Sequence, residues 1–458
     1  MTYTAQWIAN AMAGRLEGED VTITGSTVTD SREAQPGSLY IARVGEHTDG
    51  HNFIDAAREH GAVAAVVTRP QEQLALPQIV VEDATKALGM FARAHLKELR
   101  EHGTISVVGI TGSVGKTTTK DITSTILSTF GPTVAPKKSF NNEVGMPLTI
   151  LKADETTRYL VLEMGASGRG HLRYLTQIAP PDVAVELAVG KAHLGGFGDV
   201  ETLARAKAEL VDGLKQGGTA VLNLDDKNVA NMAELTSGPV LFFSAAGNPK
   251  ADVQASNITL DERSRPSFDL LAGEVIKRVR LGLVGKHQVS NALAAIATAL
   301  ALGIPPVKIV EVVNDLHAKS PHRMSIFDTD GVTYIDDSYN ANPDSVRAGL
   351  DVLERVGEYA PRRIAVLGEM LELGEKSQQL HEQVGQQAFD RNVDLVIAVG
   401  EGAGAILTPI RDRLECHQVD SAQAAATLLK ELVRPRDVVL LKGSNGTGIW
   451  TIADKLAR

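Results

Sequence analysis

The chain has 458 residues, 43% of them hydrophobic, with 56 acidic against 46 basic side chains and a formal net charge of -10. That length and apolar content allow large cores and predict roughly three domains, whereas the acidic balance lacks the clustered basic surface that a nucleic-acid backbone requires, so nucleic acid is not an expected partner. The single cysteine, Cys416, excludes an intrachain disulfide; with no basic leader ahead of an apolar stretch and no apolar run near the roughly 20 residues that span a bilayer, the expectation is a cytoplasmic monomer without membrane insertion.

In chain order, short apolar strands alternate with helical patterns, the signature of strand-helix-strand units and an α/β fold. The first block, residues 1–102, holds the strand-like SLYIARVG, AVAAVVTR and PQIVVED, and closes on the helical TKALGMFARAHLKELREHG, whose end at Gly103 reads as a boundary. The second block, 103–320, opens on the buried-strand run Ile105 to Ile110 and continues through RYLVLEMG, PDVAVELAVG and TAVLNLDD to an Ala-rich helix, Val289 to Leu302. Within it, the polar, alternating stretch from Ser244 to Leu283 reads as antiparallel hairpins inserted into the second domain. The third block, 321–458, has the strands RRIAVLGEM, VDLVIAVGE and DVVLLKGSNG separated by helices.

The strongest chemical signal is Gly109-Ile-Thr-Gly-Ser-Val-Gly-Lys-Thr-Thr-Thr119, directly after an apolar strand and before a helix carrying Ile122, Ile126, Leu127 and Phe130 on one face. Glycines permit a tight turn with several N–H groups aimed at one anion, Lys116 adds a mobile positive charge, and the Thr117 hydroxyl can meet Mg2+. The strict pattern wants glycine where Ile110 stands; the glycines fall at 109, 112 and 115. The loop predicts a bound nucleoside triphosphate, held by Gly112, Ser113, Val114, Gly115, Lys116, Thr117 and Thr118, without choosing among the enzyme classes that use such a loop.

Glu163 ends the strand RYLVLE and His193 follows PDVAVELAV, so both fall near carboxyl ends of parallel strands, where open sheets bind ligands. A carboxylate, a neutral imidazole and the Thr117 hydroxyl together can hold a divalent metal against phosphate oxygens. Lys207, in ETLARAKAEL, reads on local sequence as a solvated lysine paired with Glu201 or Glu209.

Taken together, DSREAQPGSLYIARVGEHTDGHNFI, TGSVGKTTTK, SFNNEVGMPLTIL, LEMGASGRG, DDSYNANPDS and GEMLELGEKSQQLHEQVG resemble the Mur ligase family over essentially the whole chain. The resemblance implies a three-domain fold, with a central ATP-binding sheet, a uridine-nucleotide-binding α/β domain before it and a Rossmann-like α/β domain after it. It further implies an ATP- and Mg2+-dependent ligase joining D-alanyl-D-alanine to UDP-N-acetylmuramoyl tripeptide through an acyl phosphate. A sister amide ligase, a folylpolyglutamate synthetase and a non-catalytic nucleotide-binding relative are the alternatives.

By the same resemblance Lys116, Lys207, His193 and Glu163 are catalytic, with Lys207 as a lysine carbamylated by CO2 that helps His193 position a second Mg2+, while Thr117 and Glu163 serve the first. Asn291 matches a residue at the adenine, which without the family would read as a helix-surface residue, and Arg323 and Asp337 match positions at phosphate and ribose. Ser31 and Arg32 fall in the uridine-nucleotide domain, Asn141 and Asn142 along the muramoyl peptide's path, and Ser444 near the incoming dipeptide. Three positions depart from the family pattern: Val114 and Ala188 stand where asparagine is usual, and Asn445 where arginine is.

Overall fold

The computed structural model describes residues 2–45, 48–72, 74–136, 139–190, 197, 199–314 and 316–457. Among them are three larger sheets, of five, nine and six strands, and a two-stranded pair of Tyr3–Thr4 with Thr22–Ile23. The first larger sheet runs in the order Arg15–Glu17, Gln78–Val80, Ala62–Val67, Ser38–Ile41, Thr27–Val28. The long helix Ala84–His102 ties it to the next sheet: Ala84, Ala87, Leu88 and Phe91 pack into the first core, and Ala92, Leu96 and Leu99 into the second. One amphipathic stripe thus serves two cores in succession.

In the nine-stranded sheet, Ser106–Thr111 lies between Val183–Glu186 and Tyr159–Glu163, all parallel. The chain leaves Ser106–Thr111 toward one side and later crosses to the other, which opens a crevice at the carboxyl ends of these strands. Successive side chains alternate between faces. Val108, Ile110, Val183 and Val185 pack with the helices Lys116–Ser128 and Gln288–Ala301, and Val107, Leu160, Leu162 and Ala184 pack with Leu210 of the helix Val200–Asp212 on the opposite face.

The expected insertion between Ser244 and Leu283 is instead a continuation of this sheet. Val253–Leu260 joins Val240–Ser244 in parallel through the pairs Phe243–Val253 and Ser244–Gln254, and Pro266–Ala272 and Val275–Arg280 follow as antiparallel strands. The alternation read as hairpins is present in Pro266–Ala272, which buries every second residue. It is the same helix-covered core that takes those residues, Phe268 and Leu270 among them. Phe243 is fully buried at the joint between the parallel and antiparallel halves. Its truncation to alanine is expected to cost about 3–5 kcal/mol, measured as a fall in the denaturant midpoint; an unmoved midpoint contradicts this packing.

The third sheet runs Ser325–Thr329, Val332–Asp336, Val438–Lys442, Arg363–Gly368, Leu395–Val399, Glu415–Val419, antiparallel only at its first pair. That edge hairpin turns on Asp330-Gly331 with φ of +53° and +75°, the backbone for which an Asp-Gly pair is suited.

Candidate active site

The phosphate loop follows from its strand and helix. Thr111 ends the strand, and Gly112 (φ +150°) and Gly115 (φ +83°) make the turn that starts the helix at Lys116. The positive φ of Gly115 favours glycine there, and a Cβ would in addition displace the Asn291 side-chain oxygen on the helix Gln288–Ala301. Ser113 N–H donates to the Ala188 carbonyl at 2.8 Å, and Ser113 Oγ accepts from Gly190 N–H at 2.9 Å. Ala188 therefore serves the loop through its backbone, a contact that its lack of an amide side chain leaves intact.

Lys116 Nζ donates to the Gly112 carbonyl at 2.7 Å. Burial pushes its ammonium below the ordinary lysine range, Glu163 opposing that shift and Arg323 adding to it. Thr117 is the busiest group: its hydroxyl donates to Glu163 Oε2 at 2.9 Å, lies 2.8 Å from Ser139 Oγ, and accepts from Arg323 Nη2 at 3.0 Å. Glu163, 1% exposed, also accepts from Asn141 Nδ2 at 2.9 Å on Oε1. The Arg323 guanidinium stacks over the Tyr339 ring at 4.0 Å from its centroid. Because Arg323 leads into the third sheet, the loop is contacted from both sides of a cavity of about 800 Å³. That volume suits a nucleotide-sized ligand.

Adjacent hydroxyl and carboxylate oxygens at Thr117 and Glu163 are hard donors of the type that magnesium takes. Among the described residues no cluster of three or more His, Cys, Asp or Glu could hold a metal by itself. The pair fits the mode in which Mg2+ is held by one or two protein oxygens and completed by phosphate and water.

The remaining sequence-derived positions divide. Val114, Thr118, Asn291 and Asp337 line the same cavity. Asn291 is not a helix-surface residue: it is 7% exposed, its amide donating to Gln288 Oε1 at 2.8 Å while Thr119 Oγ1 donates to its Oδ1 at 3.4 Å. Asp337 accepts from the buried Lys442 Nζ at 2.5 Å. Asn142 turns away to receive the Gly145 N–H at 2.9 Å, and Ser444 is buried, its Oγ receiving the Leu371 N–H at 3.0 Å. Ser31 is buried in the first block, and the exposed Arg32 forks onto Asp30, so neither reaches the cavity. Asn445 donates to the Tyr339 carbonyl at 3.3 Å. His193 lies outside the described residues.

Lys207 is not the solvated lysine that its local sequence indicates. It is 3% exposed; Glu201 instead pairs with Arg205 at 2.6 Å, and Glu209 accepts the backbone N–H groups of Gly170 and Arg173. Its neighbour is Glu186, a residue that the sequence reading passed over. Glu186 is fully buried, and burial raises its carboxyl to about 8 against the opposing pull of Lys207 and Lys116. Burial lowers Lys207 to about 7, Glu186 opposing. A charged residue in the middle of the apolar run VAVELAV was the available signal, since unpaired carboxylates are rarely left in such strands. Ser139 and Lys442 were missed as well; each reads locally as an ordinary polar residue.

Fold and site together define a phosphate-loop α/β protein whose nucleotide-sized cavity is closed by a second sheet. Residues 25–96, 110–299 and 322–445 match, in that order, the models of the Mur ligase family catalytic domain, the Mur ligase middle domain and the Mur ligase glutamate ligase domain. The UDP-N-acetylmuramoyl-tripeptide--D-alanyl-D-alanine ligase of Mycobacterium tuberculosis is 40% identical, aligned over 95% of this chain and 92% of its own. The ligase of the same name from Escherichia coli is 33% identical over 100% and 98%. Among solved structures, MurF from Acinetobacter baumannii superposes with a TM-score of 0.89 at 32% identity, covering 100% of this chain and 99% of that one. MurF ligase from Thermotoga maritima in complex with ADP gives 0.80 at 30%, covering 95% and 97%. The chain belongs to the Mur ligase family, and it has that family's three-domain α/β fold.

Proposed function

We propose that this chain is an ATP-dependent carbon–nitrogen ligase that joins D-alanyl-D-alanine to UDP-N-acetylmuramoyl tripeptide, giving the UDP-muramoyl pentapeptide precursor of peptidoglycan. The observation that carries the reading is the convergence of Lys116, Thr117 and Glu163 from one sheet with Arg323 from the approach to another, at one end of a nucleotide-sized cavity. The full-length likeness to ligases of that name supports the choice of substrates.

In this reading the tripeptide's terminal carboxylate oxygen attacks the γ-phosphorus as the bond to the ADP oxygen breaks. The dipeptide's amine nitrogen then attacks the acyl carbon; the carbon–nitrogen bond forms, phosphate leaves and the amine gives up a proton. The backbone N–H groups from Gly112 to Thr117 cradle the phosphates, and Lys116 exchanges the Gly112 carbonyl for a phosphate oxygen. Arg323 neutralises charge on the transferred group from the opposite wall. Thr117 and Glu163 would hold Mg2+, which would supply charge neutralisation to the triphosphate. Asn291 and Asp337 line the part of the cavity assigned to the nucleoside, and closure of the third sheet over the second excludes water from the acyl phosphate. Ser31 and Arg32 are assigned to the uridine nucleotide, Asn141 and Asn142 to the peptide path, and Ser444 to the dipeptide. No helix among the described residues is long and apolar enough to cross a membrane, and the cytoplasm is the proposed location.

The test is phosphate release with ATP, Mg2+ and UDP-muramoyl tripeptide, with and without D-Ala-D-Ala, followed by mass analysis of the peptide. Dipeptide-dependent release matched by pentapeptide is expected. ATP binding without pentapeptide overturns the reading in favour of a sister substrate or a non-catalytic relative.

A further inference from the structure

Arg323 reaches the phosphate loop from the far wall, and no hydrogen bond along its stem fixes its direction. Its Nε is buried without a partner, and the contacts of the guanidinium are those of Nη2 with Thr117 and Ser139 and of its plane with the Tyr339 ring. The direction comes from the backbone. His322 and Met324, on either side, both have left-handed φ, +59° and +54°, a conformation that such residues keep where the surroundings enforce it. For Met324 the constraint is burial, since it packs into the apolar core of the third sheet. For His322 it is polar: Nδ1 donates to Asp336 Oδ2 at 2.8 Å, Nε2 lies 3.5 Å from Asp454 Oδ1, and the ring centroid is 6.1 Å from that of Trp450. Asp336 is buried at the end of the strand Val332–Asp336, and its other oxygen accepts from Ser338 N–H at 3.2 Å and Ser338 Oγ at 2.5 Å. The Tyr339 N–H then donates to the His322 carbonyl at 3.1 Å. One carboxylate therefore ties together the two segments that bring the Arg323 guanidinium and the Tyr339 ring face to face.

We propose that His322 is a positioning residue for phosphoryl transfer: its bond to Asp336 holds the left-handed turn that aims Arg323 at Thr117. The chain before the turn is anchored too, because Ser320 Oγ donates at 2.5 Å to Asp121 Oδ2 on the phosphate-loop helix. Only Pro321 and His322 separate that anchor from Arg323. The proline ring locks its own φ, so the torsions of His322 carry most of the freedom left in this stretch, and a change in them falls on Arg323. The imidazole acts on the transferred group through Arg323. This deepens the ligase reading, on which only the kinetic arm of the test depends.

Two substitutions separate the turn from the bond that holds it. His322→Gly permits a positive φ freely and offers no donor to Asp336. His322→Asn tolerates the same φ and carries an N–H donor at the side-chain position of Nδ1. The structural arm compares crystal structures of the full-length wild type and both variants, without substrates. Arg323 Nη2 is expected within hydrogen-bond distance of Thr117 Oγ1 in wild type and the asparagine variant, and away from it in the glycine variant. Any other pattern overturns the proposal, and so does a glycine variant that fails to fold, which would make His322 a residue of the fold alone. In the kinetic arm, kcat for ligation is expected to fall by about tenfold or more in His322→Gly, with KM for ATP within about twofold, and to recover in His322→Asn. An asparagine variant as slow as the glycine one overturns the proposal. With Arg323→Ala already in place, adding His322→Gly is expected to slow ligation no further, whereas a second loss of about tenfold shows His322 acting independently of Arg323 and overturns it. Absence of ligation by wild type would count against the ligase reading and leave the structural arm to decide.

Discussion

Lys116→Met is expected to lower ATP-dependent phosphate release by at least about 10²–10³-fold, the scale seen when one preorganised group facing transition-state charge is removed. The ammonium sits at the turn, 2.7 Å from the Gly112 carbonyl, where a γ-phosphate oxygen is a stronger acceptor than a neutral carbonyl. Negative charge on the transferred group and its leaving oxygen is what this cation meets, so the loss should fall on turnover more than on nucleotide affinity. Stability should move the other way or stay level. Burial already pushes Lys116 toward its neutral form, which means that the charge is a burden on the free protein, and methionine fills similar space without it. A variant that keeps its melting temperature while losing turnover fits this account. One that loses both in proportion shows Lys116 to be structural.

Glu163→Gln is the second large effect. The glutamine keeps the length and planarity of the side chain and can still hydrogen-bond Thr117 and Asn141, which hold Glu163 at 2.9 Å each. What it lacks is the negative charge that a hard divalent cation requires. Phosphate release should fall by about 10²-fold or more, with the Mg2+ concentration for half-maximal rate shifted upward. Binding of the nucleotide measured without metal should change little. Glu163→Ala is the control for structure: it strips partners from Asn141 and Thr117, and leaving such buried groups unsatisfied costs about 1–3 kcal/mol. A glutamine variant with wild-type Mg2+ dependence would remove Glu163 from the metal site.

The residues grouped at the cavity show where local sequence carries information and where it does not. The phosphate loop was legible because its chemistry is local: three glycines, a lysine and a threonine between a strand and a helix produce the same cradle whatever surrounds them. Glu163 was legible for a related reason, since the carboxyl end of a parallel strand is a predictable address. The stretch from Ser244 to Leu283 shows the limit. Its alternation announced antiparallel strands, but only the pairing of Phe243 with Val253 makes those strands part of the central sheet, and such a contact has no sequence period. The Asp330-Gly331 turn was a readable local signal that the reading passed over.

The sequence by itself determined the α/β class, the phosphate loop and, through its motifs, the family, because each depends on residues close together in the chain. Tertiary structure alone decided that Arg323 meets Thr117 across the cavity, that Asn291 is buried against Gly115, and that Lys207 faces Glu186 instead of solvent. In each case the partners come from different elements. Their contact depends on how helices and sheets pack, and burial then sets the charge and hydrogen bonding that a local reading assigns to water.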